Sequence, residues 1–200
     1  MRLSDIEFKA MNNPVRRFFQ KHVEFRNFRS LGLVDKHKNI LEIGCGSGYG
    51  TILLSTLQPK SYLGVDLMPE QIALTGQWHL SEYAFKTMDA ADMNEIPSHS
   101  RDIIAIFGIL HHIPRWREVI KECRRVLTNG GKLFIEEPDK NIIGYCDRFF
   151  HYGHPESDFS LALLENELVN NCFKIIRKRK VLGFGTYYAQ AYSLTKKRRH

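Results

Sequence analysis

The residues best suited to chemistry are glycines at alternate positions after an apolar run. They lie in the segment Ile40-Leu-Glu-Ile-Gly44-Cys-Gly46-Ser-Gly48-Tyr-Gly50. A glycine turn lets the backbone approach a ligand without interference from Cβ atoms, and free N–H groups at a helix start attract a polar or anionic group. The spacing differs from the G-x-G-x-x-G of dinucleotide enzymes, and no G-x-x-x-x-G-K-S/T loop is present. We therefore predict a nucleotide-type site without an obvious pyrophosphate.

Two aspartates follow at the ends of the next two strand candidates. Asp66 closes the run Gly64-Val65-Asp66, where a carboxylate can accept both hydroxyls of a ribose. Asp89 follows Met88 and suits a hydrogen bond from the exocyclic amine of adenine. The order and spacing of Gly44, Asp66 and Asp89 predict that three neighbouring strand ends converge on one adenosine.

Strand and helix patterns alternate around these residues. The predicted strands are Asn39–Ile43, Ser61–Val65, Tyr83–Met88, Asp102–Phe107 and Gly131–Glu136. The predicted helices between them are Tyr49–Gln58, Pro69–Leu80 and Pro114–Leu127, the last closed by Asn129-Gly130-Gly131. This alternation indicates a parallel sheet covered by helices on both faces.

The two ends of the chain have other patterns. Residues 1–38 are predicted to form a helical cover, and residues 39–200 the main domain. The aromatic stripe of the cover comprises Phe18, His22, Phe25 and Phe28, at spacings typical of one helix face. After Pro138 we expect an irregular segment, Asp139–Ser157, and then a helix over Asp158–Asn171 capped by Ser157 or Asp158.

Two strands complete the predicted sheet. They are Phe173–Val181 and Tyr187–Leu194, joined by Gly183-Phe184-Gly185. Because this connection is too short for a parallel crossover, we expect the sheet to end in an antiparallel pair.

Length and composition bound the class of protein. The 200 residues are 43% hydrophobic and 26% charged, which suits one globular domain. The longest apolar run, Ile103–Leu110, is much shorter than the roughly 20 residues of a membrane span, so we expect a soluble, cytoplasmic protein. The four cysteines are scattered without zinc spacing, and we predict neither disulfides nor a metal site.

The basic residues are concentrated at the C-terminus. Residues 171–200 carry nine Lys or Arg and no acidic residue, whereas the rest of the chain holds 20 basic and 22 acidic residues. The clusters Arg177–Lys180 and Lys196–Arg199 could bind a phosphate backbone. The interpretation we favour is a lysine-rich sheet edge, which prevents edge-to-edge aggregation, followed by a solvated tail.

From Asn39 to Pro138 the chain resembles a class I S-adenosylmethionine-dependent methyltransferase, closest to the group called methyltransferase type 11. The first three motifs of that family are matched by Leu41–Gly48, Gly64–Leu67 and Asp89-Ala90, and the fourth by residues 102–113. Arg125–Leu133 matches the turn into the fifth strand. The family often has a Gly-Phe pair after its last helix, where this chain has Cys172-Phe173.

The resemblance implies a Rossmann-like α/β fold. Its seven-stranded, mostly parallel sheet has the order 3-2-1-4-5-7-6, with the last strand antiparallel and helices on both faces. The implied cofactor is S-adenosyl-L-methionine, with S-adenosyl-L-homocysteine as product. The cofactor-binding residues implied by the motifs are Glu42, Gly44, Cys45, Gly46, Gly48, Asp66, Leu67, Asp89, Ala90, Phe107 and Gly108. For Glu42 we favour contacts beneath the methionine amine over a structural salt link, and for Cys45 a space-filling role over a reactive thiol.

Methyl transfer is an in-line displacement, so positioning can supply most of the acceleration and no dedicated catalytic residue is required. We therefore leave the catalytic residue unassigned. The candidates for the acceptor pocket are His111, His112, Tyr145 and His151. For the histidine pair we favour a structural role, in which one ring satisfies a loop carbonyl.

The predicted function is methyl transfer to an oxygen, nitrogen or carbon atom of a small molecule. Two alternatives remain: an RNA methyltransferase that uses the basic C-terminus, and a non-catalytic module that binds S-adenosylmethionine. Neither the Asp/Asn-Pro-Pro-aromatic motif of DNA amino methylation nor the Pro-Cys nucleophile of cytosine-C5 enzymes is present. The sequence leaves the acceptor and the oligomeric state open.

Overall fold

A computed structural model describes residues 5–150, 157–181 and 183–193, without the side chains of residues 5–7, 146, 147 and 150. In these ranges one seven-stranded sheet has the order β3-β2-β1-β4-β5-β7-β6. The strands are β1 Asn39–Ile43, β2 Ser61–Asp66, β3 Ala84–Thr87, β4 Arg101–Phe107, β5 Leu127–Pro138, β6 Phe173–Val181 and β7 Phe184–Ala191. Neighbouring strands from β3 to β5 are parallel, and β7 runs antiparallel to both β5 and β6. The predicted strand order is confirmed.

Helices cover both faces of this sheet. They are α1 Asp5–Met11, α2 Pro14–Phe19, α3 Arg26–Leu31, α4 Tyr49–Ser55, α5 Pro69–Leu74, α6 Trp116–Val126, α7 Lys140–Phe150 and α8 Leu161–Asn170. A π-helix, Gln20–Phe25, joins α2 to α3, and short 3-10 helices occupy Thr75–Trp78 and Leu110–His112. No helix in the described ranges is long and apolar enough to cross a bilayer.

The hydrophobic core has one layer on each face of the sheet. Trp116 and Ile120 of α6 pack with Leu164 of α8 on one face. Phe28 of α3 and Leu54 of α4 pack on the other. The central strands are buried on both sides. Their sequences are therefore continuous apolar runs and do not alternate between apolar and polar residues.

The segment after Pro138 differs from the prediction. Where we expected irregular chain over Asp139–Ser157, Lys140–Phe150 forms α7. Gly144 and the adjacent β-branched Ile142 and Ile143 have low helix propensity, which hides the helix in the sequence. Tertiary packing stabilises α7, because Ile142 lies against Gly183. A Cβ atom added to Gly183 would be only 2.6 Å from Ile142 Cγ1.

Helix α8 begins and ends at other residues than predicted. Its cap is Ser160, whose hydroxyl accepts a hydrogen bond from the Leu163 amide, rather than Ser157 or Asp158. The chain then turns at Cys172, which has a φ of +60°. This left-handed conformation favours glycine, which accounts for the Gly-Phe pair common in the family at this position.

The last strand also begins earlier than expected. Phe184 already pairs with Val181, so β7 starts three residues before the predicted Tyr187 and includes most of the expected connection. The antiparallel ending of the sheet is confirmed, and β6 lies at its edge as expected.

The prediction that the aromatic stripe of the N-terminal cover forms one helix face is wrong. The π-helix adds a residue to one turn, which rotates the side chains before it relative to those after it. Phe18 and His22 are exposed and contact each other, whereas Phe28 is fully buried.

Candidate active site

The ends of β1, β2 and β3 meet at one cavity of about 240 Å³, which we call the strand-end cavity. Gly44, Asp66 and Asp89 all line it, together with Leu67 and Ala90. Parallel strands place their carboxyl ends at the same edge of a sheet, so residues far apart in sequence meet there. The structure thus brings the three predicted strand ends together.

Asp66 organises the glycine turn. Its Oδ2 accepts a hydrogen bond from the Gly46 amide and its Oδ1 one from the Met68 amide, both at 2.9 Å. Burial raises the pKa of Asp66, and these backbone N–H groups oppose that shift. Because a carboxylate offers about four acceptor positions, Asp66 keeps capacity to accept a hydrogen bond from a ligand.

Asp89 is held differently, by the loop that follows it and by a cation. Its Oδ1 accepts a hydrogen bond from the Ala91 amide at 2.8 Å, and its Oδ2 pairs with Arg115 Nη2 at 2.6 Å. Arg115 also lines the strand-end cavity. Both side chains are substantially exposed, so this pair is weaker than the contacts of Asp66.

A second cavity of about 70 Å³, the turn cavity, lies against the glycine turn. Cys45 and Gly46 line it with Phe107 and Gly108 from the end of β4. These four residues are among those predicted to contact the cofactor. Burial raises the pKa of the Cys45 thiol well above its usual range, which favours the space-filling role over a reactive thiol.

Two predicted residues, Glu42 and Gly48, lie outside the linings of these cavities. Glu42 is buried beneath α4, and its carboxylate accepts hydrogen bonds from Thr51 and Tyr62. Burial raises the pKa of Glu42 to about 8. Gly48 adopts a φ of +87° at the start of α4, so its role is in the shape of the turn.

A third cavity of about 360 Å³, the apolar cavity, opens beyond the end of β4. Its apolar lining includes Met11, Val15, Phe19, Ile142, Ile143 and Phe184. The apolar cavity and the turn cavity share Gly108 and His112. The space that the N-terminal helices and α7 enclose is therefore contiguous with the space beside the glycine turn.

The two histidines occupy different positions at this junction. His111 Nδ1 lies 2.7 Å from Glu137 Oε2, and Glu137 Oε1 accepts hydrogen bonds from the amides of Ile109 and Leu110. Glu137 thus fixes the loop after β4, and His111 pairs with a carboxylate rather than the loop carbonyl expected. His112 lines all three cavities.

Of the two other pocket candidates, Tyr145 does not join this site. Tyr145 is 54% exposed and packs on Phe149, while Ile142 and Ile143 of the same helix face the apolar cavity. His151 lies outside the described residues.

Several lining residues were missed by the sequence analysis. Arg16 and Glu24 come from the N-terminal cover, and Glu136 comes from the end of β5. The one available signal was the pair Glu136-Glu137, two acids that close an apolar strand at the same edge of the sheet as Asp66.

A family model described as a methyltransferase domain matches residues 41–135. This range holds the glycine turn, Asp66, Asp89 and the loop after β4. Over these residues, just under half of the chain, the sequence matches the methyltransferase domain. This match implies S-adenosylmethionine as the cofactor.

A solved structure shares this fold. The chain superimposes with a TM-score of 0.78 on a chain from the complex of the Haloferax volcanii Trm112 methyltransferase activator with a methyltransferase. That match covers 96% of this chain and 100% of the other at 14% identity, so it concerns the fold alone.

Two of the curated relatives that the chain resembles are named O-methyltransferases. The chain is 28% identical over 153 residues to a ubiquinone biosynthesis O-methyltransferase of Idiomarina loihiensis, covering 69% of this chain and 55% of the relative. It is 29% identical over 147 residues to a fatty-acid O-methyltransferase of Mycolicibacterium smegmatis, covering 70% and 49%. The chain spans about half the length of these relatives.

The residues present fit the implied cofactor. Asp66 keeps acceptor capacity beside a cavity that three strand ends share. The turn carries positive φ at Gly44 and Gly46, which keeps the backbone open to a ligand.

Proposed function

We propose that the chain transfers a methyl group from S-adenosylmethionine to an oxygen atom of a small molecule. When bound, S-adenosylmethionine supplies an electrophilic methyl group on a sulfonium centre. The observation that carries the proposal is the pair Gly108 and His112, shared by the turn cavity and the apolar cavity. The turn cavity lies against residues assigned to the cofactor, and the apolar cavity, at about 360 Å³, has the size of a small-molecule site.

Eight of the predicted cofactor residues have a task in this proposal. Asp66 binds the ribose hydroxyls, and Asp89 with Ala90 meets the adenine edge. The turn at Cys45 and Gly46 contacts the methionine part, with Phe107 and Gly108 opposite. Glu42 supports the turn from below through α4, in place of the direct contact that we expected.

The acceptor side consists of the N-terminal helices, α7 and the loop after β4. Met11 and Phe19 of the N-terminal helices give the apolar cavity an apolar lining. His112 lies where the cavities meet, so its ring can orient the acceptor or take its proton. The names of the curated relatives, a ubiquinone biosynthesis and a fatty-acid O-methyltransferase, support oxygen as the acceptor atom.

The described part of the basic C-terminal stretch gives no support to an RNA acceptor. Lys178 and Lys180 pair with Glu165. Arg177 and Arg179 contact α3 and its neighbourhood through Leu31 and Asn27. Lys196–Arg199 lie outside the described residues.

The proposal is tested by methyl transfer from S-adenosylmethionine labelled in its methyl group. The chain is incubated with an extract of the source organism, which is then separated into organic-soluble, RNA and protein fractions. We expect label in the organic-soluble fraction, and less of it with His112→Ala. Label in RNA would favour the RNA alternative, and binding of cofactor without any transfer would favour the non-catalytic module.

A further inference from the structure

The N-terminal cover exposes large apolar side chains on its outer side. Residues 14–31 form one continuous helical segment, from α2 through the π-helix to α3. Within it Val15 is 76% exposed, Phe18 is 65% exposed and Val23 is 37% exposed. Single exposed apolar residues are ordinary in folded proteins, but three of them this close together in one segment indicate a surface that meets a partner.

The exposed charges of the same part of the chain are all basic. Lys21, Arg26 and Arg29 are exposed, and none of them forms an ion pair with the residues that the structure describes. The one acidic residue between residues 8 and 34 is Glu24, which is buried and paired with Arg16. The cover therefore presents positive charge that no exposed acid of its own compensates.

This basic surface continues onto the edge strand β6. Arg177 Nη1 lies 3.4 Å from the carbonyl oxygen of Leu31, and Arg179 Nη1 lies 3.3 Å from Asn27 Oδ1. These contacts place two exposed guanidinium groups beside α3. We call the combined surface the cover face, and it comprises Val15, Phe18, Lys21, Val23, Arg26, Arg29, Arg177 and Arg179.

The apolar cavity lies on the inner side of the same helical segment. Arg16 and Phe19 of α2 line that cavity. Val15 lines it as well but is also largely exposed, so Val15 lies at the rim of the cavity. The cover face and the rim of the apolar cavity therefore meet at one residue.

We propose that the cover face docks on the surface of a bilayer that contains anionic phospholipids. Phe18 and Val23 enter the boundary between headgroups and acyl chains, while the arginines and Lys21 meet the phosphate groups. Interfacial helices of membrane-bound proteins combine the same two classes of residue. The docked bilayer reaches the cavity rim at Val15, where an apolar acceptor can pass from the lipid into the cavity. That passage rests on the proposed function, whereas the docking does not.

Two other partners fit the cover face less well. RNA would neutralise the cations, but Val15 and Val23 have no ring on which a base could stack, so they would stay exposed to water. A second copy of the chain, bound through the same face, would bring Arg26 and Arg29 against their own counterparts, and like charges placed opposite each other repel. An anionic bilayer satisfies both the apolar and the basic residues.

Sedimentation with lipid vesicles tests the docking on the full chain. The probes are vesicles of phosphatidylcholine alone and vesicles of equal parts phosphatidylcholine and phosphatidylglycerol. We expect the chain to bind the mixed vesicles about tenfold or more tightly, because each cation near an anionic surface contributes about fivefold in affinity. Added salt should reduce this preference, since it screens exposed charges.

One pair of variants tests the basic part of the cover face. Arg26→Gln combined with Arg29→Gln should weaken binding to the mixed vesicles about tenfold or more. The matched control is Lys38→Gln combined with Lys60→Gln. These two lysines are exposed and precede β1 and β2, at the edge of the sheet opposite the cavities. The control should bind both kinds of vesicle as the wild type does.

A second set of variants tests the apolar part. Phe18→Ser should weaken binding to the mixed vesicles about tenfold, because its ring no longer leaves water, whereas Phe18→Leu should retain most of the binding. Val169→Ser is the control, since Val169 is 56% exposed on α8. Phe18 lies outside the linings of the three cavities, so Phe18→Ser should keep the thermal stability and the S-adenosylhomocysteine affinity of the wild type.

Several outcomes would overturn the docking. They are equal binding to the two kinds of vesicle, no binding to either, and wild-type binding by Phe18→Ser. Tighter binding to a single-stranded RNA than to the mixed vesicles would assign the face to nucleic acid. A dimer in lipid-free sedimentation that Phe18→Ser dissociates would assign it to a second copy of the chain.

The docking and the proposed function fail separately. A chain that binds the mixed vesicles through Phe18 and the arginines but transfers no methyl group keeps the docking surface and loses the proposed function. A chain that transfers the methyl group without binding vesicles loses the docking alone.

Discussion

Asp66 Oδ2 lies 2.9 Å from the backbone nitrogen of Gly46, so the carboxylate at the end of β2 fastens the glycine turn at the end of β1. Asp66 is the last residue of β2, and Gly46 lies in the turn that follows β1, the neighbouring parallel strand, so the hydrogen bond joins the two strand ends. The turn is thereby held open beside the same carboxylate that we assign to the ribose. Shaping the site and binding the ligand are consequently functions of one side chain.

We expect Asp89 to accept a hydrogen bond from the adenine amine. This contact should be weaker than the hydrogen bonds of Asp66 with the ribose. Its carboxylate is 39% exposed and shared with Arg115. We predict that Asp89→Ala reduces the preference of the chain for S-adenosylhomocysteine over S-inosylhomocysteine by about three- to tenfold, because the inosine analogue lacks the amine that donates to Asp89. Competition binding with both nucleosides measures this ratio.

Asp92 provides the control for that prediction. It lies in the same loop, is exposed and pairs with Asn94 rather than lining the strand-end cavity. Asp92→Ala should leave the ratio unchanged. If the binding ratio is unchanged in Asp89→Ala as well, Asp89 does not contact the adenine.

Glu42 should make stability depend on pH. Its pKa is about 8 in the folded chain against an ordinary 4.5, so between these values the folded state holds one more proton than the unfolded state. The free energy of unfolding therefore falls as pH rises from about 5 to 8, by up to about 1.4 kcal/mol per pH unit from this site. Glu42→Gln, which mimics the protonated form, should remove that contribution.

Urea unfolding at several pH values measures the effect. The curve of unfolding free energy against pH should be flatter for Glu42→Gln than for the wild type, with the variant the more stable of the two above pH 8. Parallel curves for the two proteins would show that Glu42 does not carry the extra proton.

Gly50 is expected to tolerate no side chain. A Cβ at this position would lie well inside van der Waals contact of Glu42 Oε1 and 3.0 Å from Gln20 Nε2. Gly50→Ala should destabilise the fold by about 1–3 kcal/mol, as overpacking of a core does. Chemical unfolding provides the measurement.

Gly76 is the matched control for this substitution. A Cβ there would meet nothing within 4 Å, so Gly76→Ala should be neutral or slightly stabilising. Equal effects of the two substitutions would contradict the close packing of α4 on Glu42.

The sequence predicted the strand order and the three strand ends because their signals are local. Glycines, an aspartate and a change from apolar to polar residues mark each end directly, and parallel pairing then brings those ends together. The two acidic residues that line the apolar cavity together, Glu24 and Glu136, have no local signal. Glu24 and Glu136 are separated by more than a hundred residues and meet only through packing of the N-terminal cover on β5. The π-helix likewise arises from packing. It rotates Phe18 and His22 away from the face of Phe28, so the aromatic stripe that the spacing predicts does not form one face.

The central claim is that three strand ends converge on one nucleoside. Calorimetry with S-adenosylhomocysteine tests it most directly, on the wild type, Asp66→Ala and Asp102→Ala. Asp102 is the matched control, since it is half-buried and accepts a hydrogen bond from the Asn39 amide at the opposite edge of the sheet. We predict binding by the wild type, a loss of about 100-fold or more in Asp66→Ala, and no more than about a threefold change in Asp102→Ala. Wild-type affinity in Asp66→Ala, or no binding by the wild type, would contradict the account.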